Sequence, residues 1–308
     1  MLSAAQLLVA CGSPPAPGLP PPGRPKVLAS FTVVADMARE VACGQLEVAS
    51  ITRPGAEIHG YEITPSDLRR AQGARLVLEN GLGLDRWTHR FTAGLGAVPR
   101  VVVSRGVETL PIRDGTSAHA VNPHAWMSPR MARTYVANIR EAFIALDPPR
   151  ASTYRRCAAD YLARIDSLDR ELATRLASIP PAQRLLVSCE GAFSYLTRDY
   201  GLEEAWLWPV NGEREVTPQR MQRLITTVRN RRVPAVFCES TVDARAQQRV
   251  ARESGARFGG LFYVDSLSLP GGPAPSYLAL MRRNVDTLIN GLRAGTPPAS
   301  GSGPDPAP

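Results

Sequence analysis

A chain of 308 residues, 44% hydrophobic and 21% charged, has the composition of a packed globular protein with room for two domains, which excludes fibrous and wholly disordered classes. The formal net charge of +8 comes almost entirely from scattered arginines, Lys26 being the only lysine. It reads as biased composition, and a nucleic-acid surface is not expected.

In chain order, residues 1–25 run from a short apolar stretch through Leu8-Val9-Ala10-Cys11-Gly12 into a Pro/Gly-rich tether. This resembles the end of a bacterial lipoprotein signal, with Cys11 as the lipidated residue, and departs from that pattern in lacking a basic stretch before the apolar run. Such a signal implies anchoring to the membrane by acyl chains, since no later stretch is long and apolar enough to span it.

Residues 26–147 alternate strand and helix patterns. "KVLASFTVVADMAREVAC" reads as strand, turn and helix, and "LEVASITRPG" as a strand. "TPSDLRRAQGA" opens with helix-capping residues, "RLVLENG" is a strand, "GLDRWTHRFTAG" a helix and "RVVVSRG" a strand. From Arg150 to about 180, Tyr154, Cys157, Ala158, Leu162, Ile165, Leu168, Leu172 and Leu176 recur at three- or four-residue steps, which predicts one long amphipathic helix. Residues 183–293 repeat the grammar with the strands "RLLVSCEG", "PAVFCES" and "GGLFYV" and three helical patterns, the last being "SYLALMRRNVDTLINGLR". Residues 294–308 have the composition of a disordered tail. The predicted fold is α/β: two (β/α) lobes with parallel sheets, joined by one long, rigid connecting helix.

Four cysteines follow the tether, and four permit three pairings. Cys189 and Cys238 each close a short apolar strand pattern with Cys-Glu, as on neighbouring parallel strands of one sheet, and a Cys189–Cys238 disulfide is expected; two reduced buried thiols are the alternative. Cys43 and Cys157 fall in helical patterns and read as packing residues.

Ligands of open α/β sheets gather at the carboxyl ends of the strands. The metal-competent side chains at such places are His59, His124, Glu190 and Asp265, two from each half and too far apart in the chain for a local metal motif. Taken singly, each has a plainer reading: a solvated or hydrogen-bonded loop histidine, or a capping acid. Glu239 repeats the Cys-Glu pattern of Glu190 one strand over and is expected to orient a ligand or its loop. His119 reads as a solvent-facing loop residue and His89 as exposed on a helix.

"PGAEIHGYEITPSD", "NPHAWMSP", "SCEGAFSYLTRDYGL" and "YVDSLS" together resemble the signatures of the metal-binding receptors of ABC importers, the cluster A-I solute-binding lipoproteins, from about Lys26 to Leu292. The resemblance implies a divalent cation clamped between two lobes by His59, His124, Glu190 and Asp265. It also implies an extracytoplasmic, lipid-anchored monomer without enzymatic turnover, and an ABC permease with its ATPase as partners. In the family's zinc receptors the third ligand is usually histidine, with a His- and acid-rich loop between the first two. Here that position is Glu190 and the loop is missing, which is similar to the manganese receptors. Mn2+ is therefore expected first, with Zn2+ and Fe2+ as alternatives. The cysteine beside Glu190 is similar to cyanobacterial-type manganese receptors, where a disulfide at this point would restrain the ligand loop. The rival readings are a secreted metallohydrolase with Glu190 or Glu239 as base, and a structural lipoprotein whose metal locks the lobes.

Overall fold

The structure is a computed structural model that describes residues 23–114, 118–211 and 216–293. Cys11 and the 294–308 tail lie outside the described residues. The first lobe runs β1 (Lys26–Ala29), α1 (Thr32–Ala42), β2 (Glu47–Ser50), α2 (Pro65–Ala71), β3 (Ala74–Glu79), α3 (Thr88–Ala93) and β4 (Arg100–Val102). Its four strands form one parallel sheet in the order β2-β1-β3-β4. Val27, Leu28 and Ala29, like Leu76, Val77 and Leu78, are buried without alternation, as strands covered on both faces must be. α2 begins where Thr-Pro-Ser-Asp predicts: Thr64 and Asp67 form a reciprocal capping box and Pro65 opens the helix. α3 is shorter than expected: it is preceded by a positive-φ run at Gly81, Leu82 and Gly83, and residues 84–87 form turns, so the helix starts only at Thr88.

A short 3₁₀ turn at Ala125–Met127 leads into α4 (Pro129–Leu146), and α5 (Ala151–Ala177) is the connecting helix, 27 residues and so about 40 Å long. Its buried stripe differs from the expected one at a single step: Tyr161 is buried and Leu162 only half-buried. Both continue the helical period, and the larger ring takes the inner place. α5 packs on α1 and α4 at one end and on α9 at the other.

The second lobe contains β5 (Leu185–Glu190), α6 (Ser194–Tyr200), β6 (Glu203–Trp208), α7 (Pro218–Asn230), β7 (Ala235–Glu239), α8 (Arg245–Ser254), β8 (Arg257–Phe262) and α9 (Tyr277–Arg293). β5 pairs with β6 and β7 with β8, all parallel. α6 and β6 escape the sequence reading. The helix has only two turns and the strand opens on two acids, although Gly201, left-handed at φ 67°, is the C-terminal glycine that could have betrayed the helix. β5 and β7 lie side by side as expected, but among the described residues each forms its ladder with its other neighbour rather than within one sheet.

Cys189 and Cys238 form a disulfide across β5 and β7 at a Cα separation of 4.8 Å, the ordinary spacing of adjacent strands. Cys43 and Cys157 are also bonded, which corrects the expectation of two packing thiols. Cys43 is not inside α1 but is its left-handed terminal residue, at φ 46°, where the chain turns away beside α5. The bridge and the paired hydrogen bonds from Arg164 to Glu40 fasten α1 to the connecting helix.

One hydrophobic core runs through both lobes, and buried hydrogen bonds cross the seam. Trp126 Nε1 donates to the Val264 carbonyl at 3.1 Å, the Leu267 N–H to Thr32 Oγ1 at 2.9 Å, and the Tyr277 N–H to Asp36 Oδ2 at 2.8 Å. Burial pushes the Asp36 carboxyl up to about 6, against the lowering effect of the Tyr277 N–H.

Two measurements test these fastenings. Replacing Cys43 and Cys157 together by serine is expected to lower unfolding stability by about 2–5 kcal/mol in denaturant titrations, because the bridge closes a long loop of the unfolded chain. An unchanged transition midpoint would rule that role out. For Asp36 the folded pKa lies above the unfolded one, so its contribution is whole below about pH 4 and is lost as pH rises through about 6. Asp36→Asn keeps an acceptor for Tyr277 and removes the charge. It should flatten the stability profile between about pH 4 and 6 and raise stability at pH 7–8 by about 1–3 kcal/mol; an unchanged profile would contradict this.

Candidate metal centre

The loop after β2 presents His59 because its own acid folds it. Gly55, at φ 82°, makes the turn, and the Glu57 carboxylate accepts the backbone N–H groups of His59 (2.6 Å) and Gly60 (3.3 Å). Trp87 Nε1 holds the Ile58 carbonyl from the other side at 3.0 Å. His124 is oriented by the residue two before it: Asn122 Oδ1 accepts both the His124 backbone N–H (3.0 Å) and Nδ1 (2.9 Å). With the ring proton fixed on Nδ1, the lone pair of Nε2 is left for the site. Trp126 packs at 5.2 Å from the same ring. Glu190 is the last residue of β5, and Asp265 follows β8.

These four side chains converge. His59 Nε2 lies 3.1 Å from His124 Nε2, 3.2 Å from Glu190 Oε1 and 3.9 Å from Asp265 Oδ1, and His124 Nε2 is 3.4 Å from Glu190 Oε1. One ligand atom from each lies within 4.8 Å of all the others. The side chains of His124, Glu190 and Asp265 are fully buried and that of His59 is 6% exposed, so among the described residues His59 is the member of the cluster that faces solvent. Outside it opens a cavity of about 490 Å³ lined by Leu82, Arg86, Ile112, Val121 and Val210 together with His59.

The acids are held but not saturated. Glu190 Oε1 accepts the Asn211 N–H at 2.7 Å, while Asp265 Oδ2 accepts from Asn211 Nδ2 at 3.0 Å and Thr241 Oγ1 at 3.3 Å. Trp208 Nε1 in turn fixes Asn211 Oδ1 at 2.8 Å. Glu190 Oε2 and Asp265 Oδ1 are buried with no hydrogen-bond donor among the described residues. Leaving such oxygens unpaired is costly, and a cation is the partner that suits them. Burial opposes ionisation of Glu190, but the imidazoles of His124 and His59 outweigh it and hold this carboxyl below the usual range. Burial, Glu190 and Glu57 push Asp265 well up. Two imidazoles and two carboxylates of this kind could hold one divalent ion and neutralise it, binding being coupled to release of the Asp265 proton.

Glu239 stands behind the cluster: its Oε2 accepts the Glu190 backbone N–H at 3.2 Å, and burial, with Glu190 and Asp265 nearby, pushes its carboxyl well up. The sulfurs of Cys189 and Cys238 beside it are bonded to each other. His119 is exposed in a turn, and His89 is exposed beside the Arg100 guanidinium, so neither joins the cluster. Sequence reasoning missed Glu57, Asn122, Asn211 and Thr241. Asn122 carried a signal, an amide two residues before a histidine; Asn211 and Thr241 sit in loops that only the folded chain brings to the acids.

The profile of the family described as zinc-uptake complex component A, periplasmic (ZnuA), matches residues 27–291. The chain is 46% identical over 267 residues to the iron-binding protein YfeA of Yersinia pestis, covering 87% of this chain and 86% of that protein. It is 32% identical over 267 residues to the manganese-binding lipoprotein MntA of Halalkalibacterium halodurans, covering 87% and 88%. The Mn-bound periplasmic metal-binding protein of Candidatus Liberibacter asiaticus superimposes with a TM-score of 0.80 at 34% identity, over 87% of this chain and 99% of that one. The periplasmic zinc-binding protein TroA of Treponema pallidum does so with a TM-score of 0.80 at 26% identity, over 88% and 99%. With its two α/β lobes, connecting helix and inter-lobe cluster, the chain belongs to the ZnuA family of periplasmic metal-binding components of ABC importers.

Proposed function

We propose that the protein is a receptor that takes up one divalent metal ion outside the cytoplasmic membrane, manganese in the first place, and delivers it to an ABC permease driven by its ATPase. The ligands are His59 Nε2, His124 Nε2 and the carboxylates of Glu190 and Asp265. The observation that carries this reading is the convergence of the four groups within 4.8 Å, with one buried oxygen of each acid lacking a hydrogen-bond donor among the described residues. Four protein side chains surround the ion, unlike a catalytic site that keeps a position open for water beside a general base. Glu239 serves by holding the Glu190 backbone. Cys11 is the proposed lipid attachment point, and the receptor works as a monomer.

The donor set favours manganese or ferrous iron over zinc. Carboxylates can bind through one or two oxygens and so raise the coordination number above the four that zinc prefers. Ferrous iron is the second reading, favoured by the 46% identity to a protein named for iron binding. Zinc would bind at least as tightly as manganese on affinity order alone, so the cargo is set by geometry and availability.

Calorimetric titration of the metal-free protein with Mn2+ is expected to give one site per chain. Each of His59→Ala, His124→Ala, Glu190→Gln and Asp265→Asn should weaken binding by roughly 100-fold or more, and Glu239→Gln by about 10-fold. At a free Mn2+ concentration of about 1,000 Kd, unfolding stability should rise by about 4 kcal/mol. Wild-type affinity in any two of the four ligand variants would overturn the assignment. Elemental analysis of protein taken from its own compartment decides the metal: manganese supports the first reading, iron the second.

A further inference from the structure

Asp265 follows β8 in the second lobe, yet its surroundings are divided between the two lobes. Its side chain is held from its own lobe, where Asn211 and Thr241 donate to Oδ2. The chain on either side of it is held from the first lobe. The Val264 carbonyl accepts from Trp126 Nε1 at 3.1 Å, and the Leu267 N–H donates to Thr32 Oγ1 at 2.9 Å. Between these two, Ser266 Oγ accepts the backbone N–H of Gly55 at 2.7 Å and donates to the Leu267 carbonyl at 3.0 Å. With the single hydroxyl proton spent on Leu267, a lone pair is left for Gly55, so the two bonds do not compete. Gly55 belongs to the loop after β2, four residues before His59. The Ser266 bond therefore runs from the loop that carries His59 straight to the loop that carries Asp265.

We propose that Ser266 is a positioning residue that ties the His59 loop of the first lobe to the Asp265 loop of the second, so that two ligands from opposite lobes are set as one unit. The His59 loop is the more exposed of the two and starts on a glycine at φ 82°, a residue with wide backbone freedom when nothing holds it. From Gly55 to Gly60 the loop is braced internally. The Ala56 N–H closes a turn on the Arg53 carbonyl, and the Glu57 carboxylate accepts the N–H groups of His59 and Gly60. A hold on Gly55 is thus passed along a short, stiff segment to His59. Ser266, 1% exposed, is the side chain that supplies this hold from the opposite lobe. Without it the two loops move independently, and an ion bound by independently moving ligands can lose one while still held by the rest. The effect falls on dissociation; association, which begins in the cavity beside His59, changes less.

This inference rests on the proposed ligation by His59 and Asp265, and the test separates the two. Mn2+ release from the full chain is followed by rapid mixing with excess chelator, and the symmetry around the bound ion by its electron paramagnetic resonance spectrum. Ser266→Ala removes the bond from Gly55. Ser268→Ala is the control in the same loop, because Ser268 Oγ bonds only within it, to the Leu269 carbonyl and the Ala274 N–H. Ser266→Ala is expected to release Mn2+ about 3- to 10-fold faster, with association within about 2-fold of wild type and an altered spectrum. Ser268→Ala should match wild type in both readouts. In an Asp265→Asn background, where the loop no longer brings a charged ligand, adding Ser266→Ala should change release by less than about 2-fold, whereas general loosening would speed it in either background. Wild-type release in Ser266→Ala, or equal acceleration with and without Asp265, would overturn the tie while leaving the metal site standing. Wild-type Mn2+ affinity in both His59→Ala and Asp265→Asn would instead remove the reading beneath it.

Discussion

Glu190, Glu239 and Asp265 are carboxyls without solvent exposure, placed close enough that Glu190 pushes the other two up and Asp265 pushes Glu239 up further. Nothing in protein folding favours such a cluster for its own sake: burying one acid is unfavourable, and burying several side by side adds mutual repulsion. Without an ion, the two imidazoles can sustain the charge of only part of the group, and the protonation pattern follows, with Glu190 held ionised and the others pushed toward the neutral form. On the proposed function, the site is built around a positive charge supplied from outside. Its other features, the seam, the capped loop of His59 and the unsaturated oxygens, are arrangements for keeping that unsatisfied cluster in register.

Register is expensive to maintain between two lobes, and the fold maintains it by fastening rather than by flexibility. α5 is bonded to the first lobe through Cys43–Cys157 and Arg164–Glu40, and it reaches the second through the Arg175–Asp286 and Arg282–Glu171 ion pairs. The first connection is covalent, whereas the second adds to the apolar packing of α5 on α9 only half-exposed ion pairs, which salt screens. Motion between the lobes is therefore expected where α5 meets α9 and along the buried hydrogen bonds of the seam. A rigid connector limits its amplitude.

Much of this was legible in the residues. Uninterrupted apolar runs marked the parallel strands, the Thr-Pro-Ser-Asp cap marked α2, and the period of α5 was right except for the exchange of Leu162 for Tyr161. The four convergent side chains were found because strand ends in an open α/β sheet are where such groups are useful, and because four separate segments carried the resemblance in the right order. What stayed hidden was set by backbone geometry and by contacts distant in sequence. The left-handed turn at Cys43, the three positive-φ residues before α3 and the amide bonds of Asn211 to two ligand loops have no periodic trace. α6 and β6 were too short, and β6 too acidic at its start, for a pattern to register against the loops around them.

One ion lying among His59, His124, Glu190 and Asp265 is the proposed centre of the molecule, and anomalous scattering tests its place most directly. A crystal of the protein loaded with Mn2+, measured on both sides of the manganese absorption edge, should give one strong difference peak within about 2.0–2.6 Å of both Nε2 atoms and of oxygens from both acids. A peak elsewhere, or none with manganese bound in solution at one ion per chain, would contradict the central claim.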